Sequence, residues 1–424
     1  MTGPVVDGTV VDGTVVTGSV VTGPVVIVGG GIAGVSTAAA LRKGGFDGDI
    51  TLVDAGEFPY DRPPLSKDFL SGAKDIKQIA LQPAHWYDDQ RVRLVTGISV
   101  AALRPAEGTV ELVGGRRLPA DRVVLATGGA AARPPVPGID SSRVHVLRTA
   151  EDADRLRPAL APGARLLVVG AGLIGAEVAS TAVRLGCEVT LVDPVAAPLT
   201  AVLGPELAVW LHELHARNRV TTAQSAVESF TDRHGGIEAR FTGVPGPQLY
   251  DAVVLGVGMV PHTDLAREAG LEVDRGIVVD PSQVTSNPAV LAVGDPARTR
   301  QDGVLLPRTE HWEAAQHDGA RAAATLLGAA PPEPTAPWFW TDRHGHHVEA
   351  VGHLHEATET VLRGSLDDPA FSLFGLRDGF VIAAAAVDDP SAVRAARRMI
   401  DRRVPADPAR LADPGVSLRA LLRG

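Results

Sequence analysis

Cysteine is nearly absent from this 424-residue sequence, in which Cys187 is the single example. One thiol cannot form an intramolecular disulfide, a CxxC redox pair, a four-cysteine zinc site or a protein-bound iron–sulfur cluster. Any electron-transfer chemistry in this chain would therefore depend on a bound organic cofactor. Cys187 itself, at the start of a predicted strand, is expected to be a small buried residue and not a nucleophile.

Lysine, long apolar runs and net positive charge are also scarce. Four of the 40 basic residues are lysines, and the net charge of −10 argues against nucleic acid as the main partner. No apolar run reaches about 18 residues, so no membrane span is expected. No secretory signal is visible, and we expect a cytoplasmic location. The length and the 45% hydrophobic content are typical of a globular chain of two to four domains.

The first 24 residues form a low-complexity segment. From Val5 onward the unit VVxG, followed by Thr, Ser or Pro, occurs four times. A glycine at every fifth residue breaks both helical and strand periodicity, and the unit is too short to build a repeat with its own core. We expect an unstructured extension. The high valine content leaves an extra edge strand as the alternative.

The first motif that carries chemistry is Gly29-x-Gly31-x-x-Gly34. It lies between an apolar β-branched run, Val25–Val28, and an alanine-rich helical stretch that ends at two glycines. Gly29 allows the tight turn, Gly31 lets the backbone approach a pyrophosphate, and Gly34 lets helix and strand pack closely. Asp54, which ends the next predicted strand, can bind ribose hydroxyls. The motif therefore predicts a dinucleotide site at a helix N-terminus.

The same pattern recurs about 140 residues later as Gly170-x-Gly172-x-x-Gly175, with Asp193 at the end of the following strand. This acid would accept a hydrogen bond from the 2′-hydroxyl of NAD and repel the 2′-phosphate of NADP. No arginine occurs in residues 194–198, where an NADPH site would need one. The second motif therefore favours NADH over NADPH.

Two dinucleotide sites in one chain imply that one cofactor reduces the other. NADH with FAD is the pairing that fits, because a flavin can take a hydride and release single electrons. The segment 285–295 (TSNPAVLAVGD) places Asp295 at the carboxyl end of a predicted parallel strand, where ligands bind in such sheets.

The fold class that these patterns predict is α/β, with two Rossmann-like dinucleotide-binding domains and a small α+β C-terminal domain. A proline-rich linker at 329–337 precedes alternating strand-like runs and an arginine-rich helix at 391–403. The predicted boundaries are 1–24 for the extension, 25–130 and 259–331 for a discontinuous FAD-binding domain, 131–258 for the NAD-binding domain and 335–424 for the C-terminal domain.

Nine segments together carry a family resemblance: VVIVGGGIAG, FPYDRPPLSKDFLSG, VVLATGG, VLRTAEDADRL, VVGAGLIGAEVA, LGPELAVWLHELH, TSNPAVLAVGD, RTEHWEAAQHDG and PWFWTDRHG. From Val25 to the C-terminus the sequence resembles the flavin-dependent ferredoxin reductases of the putidaredoxin- and rubredoxin-reductase type, within the pyridine-nucleotide disulfide oxidoreductase fold. PYDRPPLSK and PWFWTD are the specific segments, whereas the others are shared by the wider superfamily.

This resemblance implies a role for each matching position. Asp54 would hold the adenosine ribose of FAD, Arg62 and Lys67 would lie along the cofactor, and Trp312 would lie at the pyrimidine end of the flavin. Val100 would meet the adenine through its backbone, Arg148 would contact FAD, and Asp295 would bind the ribitol. The implied FAD set is Gly29, Gly31, Ile32, Ala33, Gly34, Asp54, Arg62, Lys67, Val100, Ala126, Thr127, Gly128, Arg148, Asp295 and Trp312. The implied NADH set is Gly170, Gly172, Ile174, Gly175, Glu177, Asp193 and Gly258.

Lys67 and Glu177 are the candidate catalytic residues. A cation near the flavin ring would stabilise the negative charge that follows hydride transfer. Glu177 would lie near the nicotinamide and could pair with Lys67. The alternatives are a solvated lysine before a helix and a helix-entry acid stabilised by the helix dipole. Trp312 and Trp340 could form an apolar wall for the flavin or could be core aromatics.

Other candidates point to structure and not to chemistry. His212 and His215 are expected on a solvated helix face, and His344, His346 and His347 in a surface loop, so no metal site is predicted. The usual arginine-bearing run after ATGG is replaced by three alanines at 130–132, and Pro296 follows Asp295. These departures put local flavin contacts in doubt but leave the predicted fold unchanged.

The predicted function is that of an NADH-dependent ferredoxin reductase. Hydride would pass from NADH to FAD, and single electrons would then pass to an iron–sulfur ferredoxin that serves an oxygenase. Small ferredoxins are usually acidic, so docking needs a basic patch. That patch is predicted on the helix with Arg394, Arg397, Arg398, Arg402 and Arg403 or, alternatively, on Arg298, Arg300 and Arg308. The alternative functions are an NADH reductase of a quinone or oxygen, and a redox-sensing flavoprotein that resembles apoptosis-inducing factor.

Overall fold

The computed structural model describes residues 20–422 together with the short segments 10–11 and 14–15. Within the extension, Val10–Val11 and Thr14–Val15 pair antiparallel as a two-stranded sheet of their own. They therefore do not add an edge strand to the larger sheets, and the rest of the repeat segment lies outside the described residues.

The chain divides into two compact units. The first contains residues 1–61, 77–130 and 260–334, and the second contains 62–76, 131–259 and 335–424. The segment 62–76 follows the first glycine motif in sequence. It belongs to the second unit, as does the C-terminal region. The chain passes between the units at five positions, and two of these lie within strands: Gly129–Ala131 and Met259–Pro261.

The first unit is built on a five-stranded parallel sheet. In spatial order its strands are Val290–Ala292, Arg122–Leu125, Val25–Val28, Ile50–Val53 and Val92–Val95. The side chains of Val25 to Val28 are all buried, as the apolar run predicts. Further strands are Val100–Arg104, Thr109–Leu112 and Arg117–Pro119 in one small sheet, and Ile277–Val279, Ala297–Gln301 and Val304–Leu305 in another.

Successive residues of the strand Val25–Val28 face two different layers. Val25 and Ile27 pack on the helices Ile32–Lys43 and Trp312–Leu326, whereas Val26 and Val28 belong to the core that includes Val110 and Leu112. The remaining helices of this unit are Ala84–Asp89 and Asp264–Glu268, with a 3₁₀ turn at Pro105–Glu107.

The second unit contains another five-stranded parallel sheet. Its strands in spatial order are Val144–Val146, Ala252–Leu255, Arg165–Val169, Glu188–Asp193 and Thr221–Gln224. An antiparallel sheet of Val227–Arg233, Gly236–Phe241 and Gln248–Tyr250 packs against it through Phe230 and Ile237. The helices here are Ala150–Leu156, Leu173–Arg184 and Thr200–Arg217, with 3₁₀ turns at Pro63–Ser66 and Arg157–Ala159.

The C-terminal part of the second unit is an antiparallel sheet between two helical layers. The strands in spatial order are Trp338–Arg343, His346–Gly352, Phe380–Val387, Phe371–Arg377 and Glu359–Arg363. One face packs on the helix Thr200–Arg217, and the other on Pro390–Arg402. The elements that complete it are a 3₁₀ turn at Leu354–Glu356 and the helices Pro408–Ala412 and Leu418–Leu421.

None of the helices in the described ranges is long and apolar enough to cross a membrane.

Candidate functional site

The first glycine motif forms the predicted turn between strand and helix. Gly29 has a φ of +114°, and a Cβ there would collide with the carbonyl oxygen of Ala126. A Cβ at Gly34 would collide with the carbonyl oxygen of Gly29. At Gly31, the N-cap of the first fingerprint helix (Ile32–Lys43), a Cβ would meet no atom within 4 Å. Two glycines are therefore needed for packing, whereas Gly31 leaves open space over the backbone.

The second motif repeats this geometry in the second unit. Gly170 has a φ of +96°, and a Cβ there would collide with the carbonyl oxygen of Gly256. A Cβ at Gly175 would meet the carbonyl oxygen of Gly170, whereas one at Gly172 would meet nothing within 4 Å. Gly172 is the N-cap of the second fingerprint helix (Leu173–Arg184).

The N-termini of both fingerprint helices are free of side chains that would compete with a bound anion. Neither has a side-chain cap or an acidic residue in its first turn. The first backbone N–H groups therefore remain available beside the open space at Gly31 and Gly172, and the helix dipole adds positive potential there. The residues present thus fit the pyrophosphates of two dinucleotides.

The acids that end the second strands are held by the same loops. Asp54 accepts hydrogen bonds from the backbone N–H groups of Gly30 and, at 2.6 Å, of Gly56. In the same way Asp193 accepts from Ala171 and Val195, both at 2.8 Å. Each carboxylate keeps further lone pairs for a ribose hydroxyl. The sequence did not predict that these acids also fix the glycine loops to the sheet.

Most of the other residues implied for FAD lie at the ends of first-unit strands and helices. Ala126, Thr127 and Gly128 follow the strand Arg122–Leu125, and the Thr127 hydroxyl donates to the carbonyl of His262 at 2.9 Å. Ile32 and Ala33 lie in the first turn of the first fingerprint helix, and Val100 opens its strand.

Asp295 lies in a tight turn that accommodates Pro296. The N–H of Ala297 donates to the carbonyl of Gly294 at 2.9 Å, and the Pro296 carbonyl accepts from Ile277 at 2.7 Å. The carbonyl of Asp295 accepts from Arg308 at 3.1 Å. The proline therefore loses no hydrogen bond that this turn requires.

Trp312 begins the helix Trp312–Leu326 and donates from its indole nitrogen to Asp61 Oδ1 at 2.7 Å. This bond fixes the plane of the indole ring at the start of the helix. Trp340 lies in the second unit, where it stacks on Trp338 with ring centroids 5.0 Å apart. Trp312 and Trp340 are both half-buried.

Lys67 and Glu177 meet in the second unit, as the sequence suggested they could. Lys67 Nζ lies 3.0 Å from Glu177 Oε1 and 3.3 Å from Asp342 Oδ2. The Lys67 side chain is 17% exposed and that of Glu177 is 4% exposed. Glu177 also accepts from Ser66 Oγ at 2.5 Å and from Thr341 Oγ1 at 2.8 Å. A nearly buried carboxylate is thus fully hydrogen-bonded, which is the condition for burying a charge at low cost.

Three elements contribute to the ion-pair cluster, which consists of Lys67, Glu177, Asp342, Ser66 and Thr341. Lys67 is the C-cap of the 3₁₀ turn Pro63–Ser66, Glu177 lies on the buried side of the second fingerprint helix, and Thr341 comes from the C-terminal sheet. Thr181, one helical turn beyond Glu177, donates to the Ser66 carbonyl at 2.8 Å and so fastens the turn to the helix.

Sequence reasoning missed Ser66, Thr341 and Asp342 as parts of this cluster, and Arg343 beside it. Ser66 and Asp342 lie inside RPPLSK and PWFWTD, so the two specific segments were the signal that could have found them. The Arg343 guanidinium is buried and donates to Thr341 Oγ1 at 3.2 Å. Burial lowers the pKa of Arg343 to about 10, although the charge of Glu177 acts in the opposite direction.

The remaining residues implied for FAD and NADH lie near the ends of helices and strands in the second unit. Arg62 is the N-cap of the 3₁₀ turn Pro63–Ser66, and Arg148 precedes Thr149, which caps the helix Ala150–Leu156 in a capping box with Asp152. Ile174 is 43% exposed in the first turn of its helix. Gly258 has a φ of +104° with open space where a Cβ would point.

The prediction for His215 is wrong, and the surface-loop prediction for His344, His346 and His347 is wrong in part. His215 is fully buried and not on a solvated helix face, and its Nδ1 lies 2.8 Å from His344 Nε2. His344 lies at a hairpin turn, as predicted, whereas His346 and His347 begin a strand and pair with carboxylates. The C-terminal sheet packs on the helix that carries His215, which a local pattern does not reveal. In the described residues no group of three or more His, Cys, Asp or Glu side chains could hold a metal ion.

Cys187 is buried and free, and burial raises the pKa of its thiol. This agrees with the prediction that it is a filler and not a nucleophile.

The first-unit arginines proposed for docking are each paired with an acid. Arg300 binds Glu272 through both terminal nitrogens at 2.6 and 2.7 Å. Arg298 lies 3.1 Å from Asp274, and Arg308 lies 2.8 Å from Glu310. These pairs reduce the positive charge that this group could offer to a partner.

Comparison with known proteins identifies the family. Residues 23–319 match the family model of pyridine nucleotide-disulphide oxidoreductases, and residues 338–422 match the model described as reductase C-terminal. The chain belongs to the pyridine nucleotide-disulphide oxidoreductase family. It is therefore an oxidoreductase, and the predicted fold class and family are confirmed.

Several relatives of this pyridine nucleotide-disulphide oxidoreductase match along nearly their whole length. The ferredoxin reductase component of a chlorobenzene dioxygenase from Cupriavidus sp. (strain PS12) is 38% identical over 406 residues, which cover 94% of this chain and 97% of the relative. Putidaredoxin reductase from Pseudomonas putida is 36% identical over 412 residues, covering 94% and 96%. A crystal structure of the covalent putidaredoxin reductase–putidaredoxin complex superposes with a TM-score of 0.87 at 34% identity, covering 94% of this chain and 98% of the other.

Proposed function

We propose that this protein is an NADH-dependent ferredoxin reductase that contains FAD and supplies an oxygenase system. The observation that carries the proposal is the pair of glycine motifs, each with an uncapped helix N-terminus that can bind a pyrophosphate, in a chain whose one cysteine is buried. No cysteine lies in residues 55–68, so there is no thiol after the first acid-ended strand to relay electrons. Relatives of full length are named as ferredoxin reductase components of dioxygenases, which supports the acceptor class.

Bound FAD would supply the conversion from a two-electron donor to one-electron acceptors. One NADH and two oxidised ferredoxins give NAD⁺, two reduced ferredoxins and one proton. The residues of the chain bind and align the cofactors, and Lys67 supplies positive charge for the electron pair that arrives. Glu177 holds Lys67 in place.

The proposed FAD residues are those implied by the resemblance, with the first glycine motif at the pyrophosphate and Asp54 at the adenosine ribose. The proposed NADH residues are those of the second motif with Glu177, Asp193 and Gly258. We assign NADH and not NADPH because Asp193 is held at the loop by two backbone N–H groups and would repel a 2′-phosphate.

The acceptor is proposed to dock through the helix Pro390–Arg402. Arg394, Arg398, Arg402 and Arg403 are exposed, and residues 391–403 carry five arginines against one aspartate. The paired state of Arg298, Arg300 and Arg308 makes this helix the better candidate for an acidic partner.

The docking surface is tested by charge reversal. Arg394→Glu/Arg398→Glu should raise the KM for ferredoxin and flatten its salt dependence, whereas Arg116→Glu/Arg275→Glu, with the same change of charge elsewhere, should leave both unchanged. Equal values in the two double variants would remove this helix from the proposal.

Turnover with a purified [2Fe–2S] ferredoxin tests the function itself. We expect NADH-driven reduction of ferredoxin much faster than NADH oxidation with oxygen or a quinone alone, and little reduction with NADPH. Equally fast oxidation without ferredoxin would indicate a reductase of small oxidants. Very slow NADH oxidation with every acceptor would favour a redox-sensing role. The cytoplasmic location stays a prediction.

A further inference from the structure

A second group of charged side chains in the C-terminal sheet adjoins Lys67. Antiparallel pairing of Trp338–Arg343 with His346–Gly352 places His347 opposite Asp342. His347 Nδ1 lies 2.6 Å from Asp342 Oδ1, and His347 Nε2 lies 2.9 Å from Glu349 Oε1. Asp342 turns its other oxygen toward Lys67 Nζ at 3.3 Å. One carboxylate thus connects the imidazole to the ammonium group.

The two contacts of His347 define its charge. Ionised carboxylates accept hydrogen bonds but cannot donate them, and a neutral imidazole has one N–H whereas an imidazolium has two. Both contacts are hydrogen bonds at the same time only when His347 is protonated. Burial by itself lowers the pKa of His347, but the hydrogen bonds and charges of Asp342 and Glu349 outweigh it, so the pKa is raised.

The charged groups around His347 come from its own strand and from two neighbours. Glu349 also accepts from the Trp338 indole nitrogen at 2.9 Å, which fixes its position. Asp388, after the strand Phe380–Val387, accepts from the backbone N–H of His347 at 2.8 Å. The other Asp388 oxygen lies 2.7 Å from His346 Nδ1. His346 is therefore a matched control, because its side chain bonds Asp388 and not Asp342.

We propose that protonated His347 is a positioning residue that holds Asp342 and thereby fixes the ammonium group of Lys67 between Asp342 and Glu177. The proposal deepens the proposed function and rests on it. When the imidazole loses a proton, it keeps one N–H and one of its two carboxylate bonds is lost. Asp342 then lacks its second cation and draws Lys67 away from Glu177. The position of Lys67 is thus coupled to pH through a residue on the second strand of the C-terminal sheet.

The small number of lysines provides a direct test on the FAD-loaded protein. Biosynthetic labelling with ¹³C,¹⁵N-lysine marks the four lysines without changing their N–H groups, and the Lys67 signal is assigned by its loss in Lys67→Arg. We expect the Lys67 chemical shift to show an inflection above about pH 6.5, the ordinary pKa of histidine. That inflection should disappear in His347→Gln and remain in His346→Gln.

A second measurement is the pH profile of flavin reduction by NADH in stopped flow. The rate should fall several-fold across the same inflection in the wild type and in His346→Gln, and should show no such step in His347→Gln. Thermal unfolding checks that each variant is folded. An unchanged Lys67 titration in His347→Gln, or its loss in both variants, would overturn the proposal. If Lys67 follows His347 but ferredoxin is not reduced, the proposed function fails and the positioning role stands.

Discussion

At the scale of single residues, the ion-pair cluster around Lys67 is the most informative feature. Lys67 lies between two carboxylates, and Glu177 has four donors among its neighbours: Lys67, Ser66, Thr341 and the backbone N–H of Asp342. The Lys67–Glu177 pair could be suggested from the sequence because PPLSK and the second glycine motif each carry one partner. The third charge, from Asp342, lies inside the specific segment PWFWTD, but its contact with Lys67 depends on how the C-terminal sheet packs against the helix.

We expect Lys67→Ala to slow flavin reduction by NADH or to weaken FAD binding, because the proposed function assigns the charge of Lys67 to the reduced flavin. The free energy of unfolding should fall by about 1–3 kcal/mol, since nearly buried Glu177 loses its cationic partner. Stopped-flow absorbance, flavin content and urea unfolding measure the three effects.

Lys74→Ala is the matched control, because Lys74 pairs with Asp68 at 3.0 Å where both side chains are well exposed. Its free energy of unfolding should change by less than about 0.5 kcal/mol. If the two variants reduced flavin at the same rate and kept the same flavin content, Lys67 would have no special role.

At the scale of elements, the two glycine motifs separate packing from ligand approach. Within each motif the first and third glycines are confined by backbone atoms, and the second faces open space. The motif correctly predicts the tight turn at the first glycine and the close packing at the third, because both are local requirements of the backbone. The approach of a pyrophosphate to the second glycine stays a prediction. The motif does not reveal that Asp54 and Asp193 tie the loops to the sheet.

Gly172→Ala should therefore fold normally and bind NADH poorly. Its φ of −66° and ψ of −164° suit alanine, so stability should stay the same or rise by about 0.4–1 kcal/mol. The KM for NADH should rise about tenfold or more, the equivalent of about 1.4 kcal/mol. Steady-state kinetics and thermal unfolding check both expectations.

Gly175→Ala should show the opposite balance, because its Cβ would meet the Gly170 backbone. We expect a loss of about 1–3 kcal/mol in unfolding free energy. A stable Gly175→Ala variant, or a Gly172→Ala variant with normal NADH binding, would contradict this division of roles.

At the scale of the whole molecule, buried histidines link stability to pH. Burial, and next the charge of Arg343, lower the pKa of His215 to about 2, and burial lowers that of His344 to about 4. Both histidines are neutral in the folded state near neutral pH. In the unfolded chain they take up protons below about pH 6.5. Stability from these groups is therefore present above pH 6.5 and is lost as the pH falls toward 4.

We expect acid to destabilise the protein between pH 6.5 and 5 by about 1.4 kcal/mol per pH unit for each proton taken up only on unfolding. His215→Leu removes one such group, so the slope should fall by about that amount. Urea unfolding at several pH values measures it. His355→Leu, at an exposed position, should leave the slope unchanged, and the same slope in all three proteins would show that His215 is not responsible.

The sequence by itself determined the strands and helices around the two glycine motifs, the two motifs themselves, the family and the class of enzyme. These follow from local rules: apolar runs form buried strands, glycines permit turns and close approach, and acids end strands at the ligand edge of a sheet. Only the tertiary structure decided which distant side chains meet. It grouped residues 62–76 with 131–259 and 335–424, buried His215 beneath the C-terminal sheet, paired the first-unit arginines with acids and placed His347 in contact with Asp342. The physical reason is that burial and ion pairing depend on contacts between elements far apart in the chain.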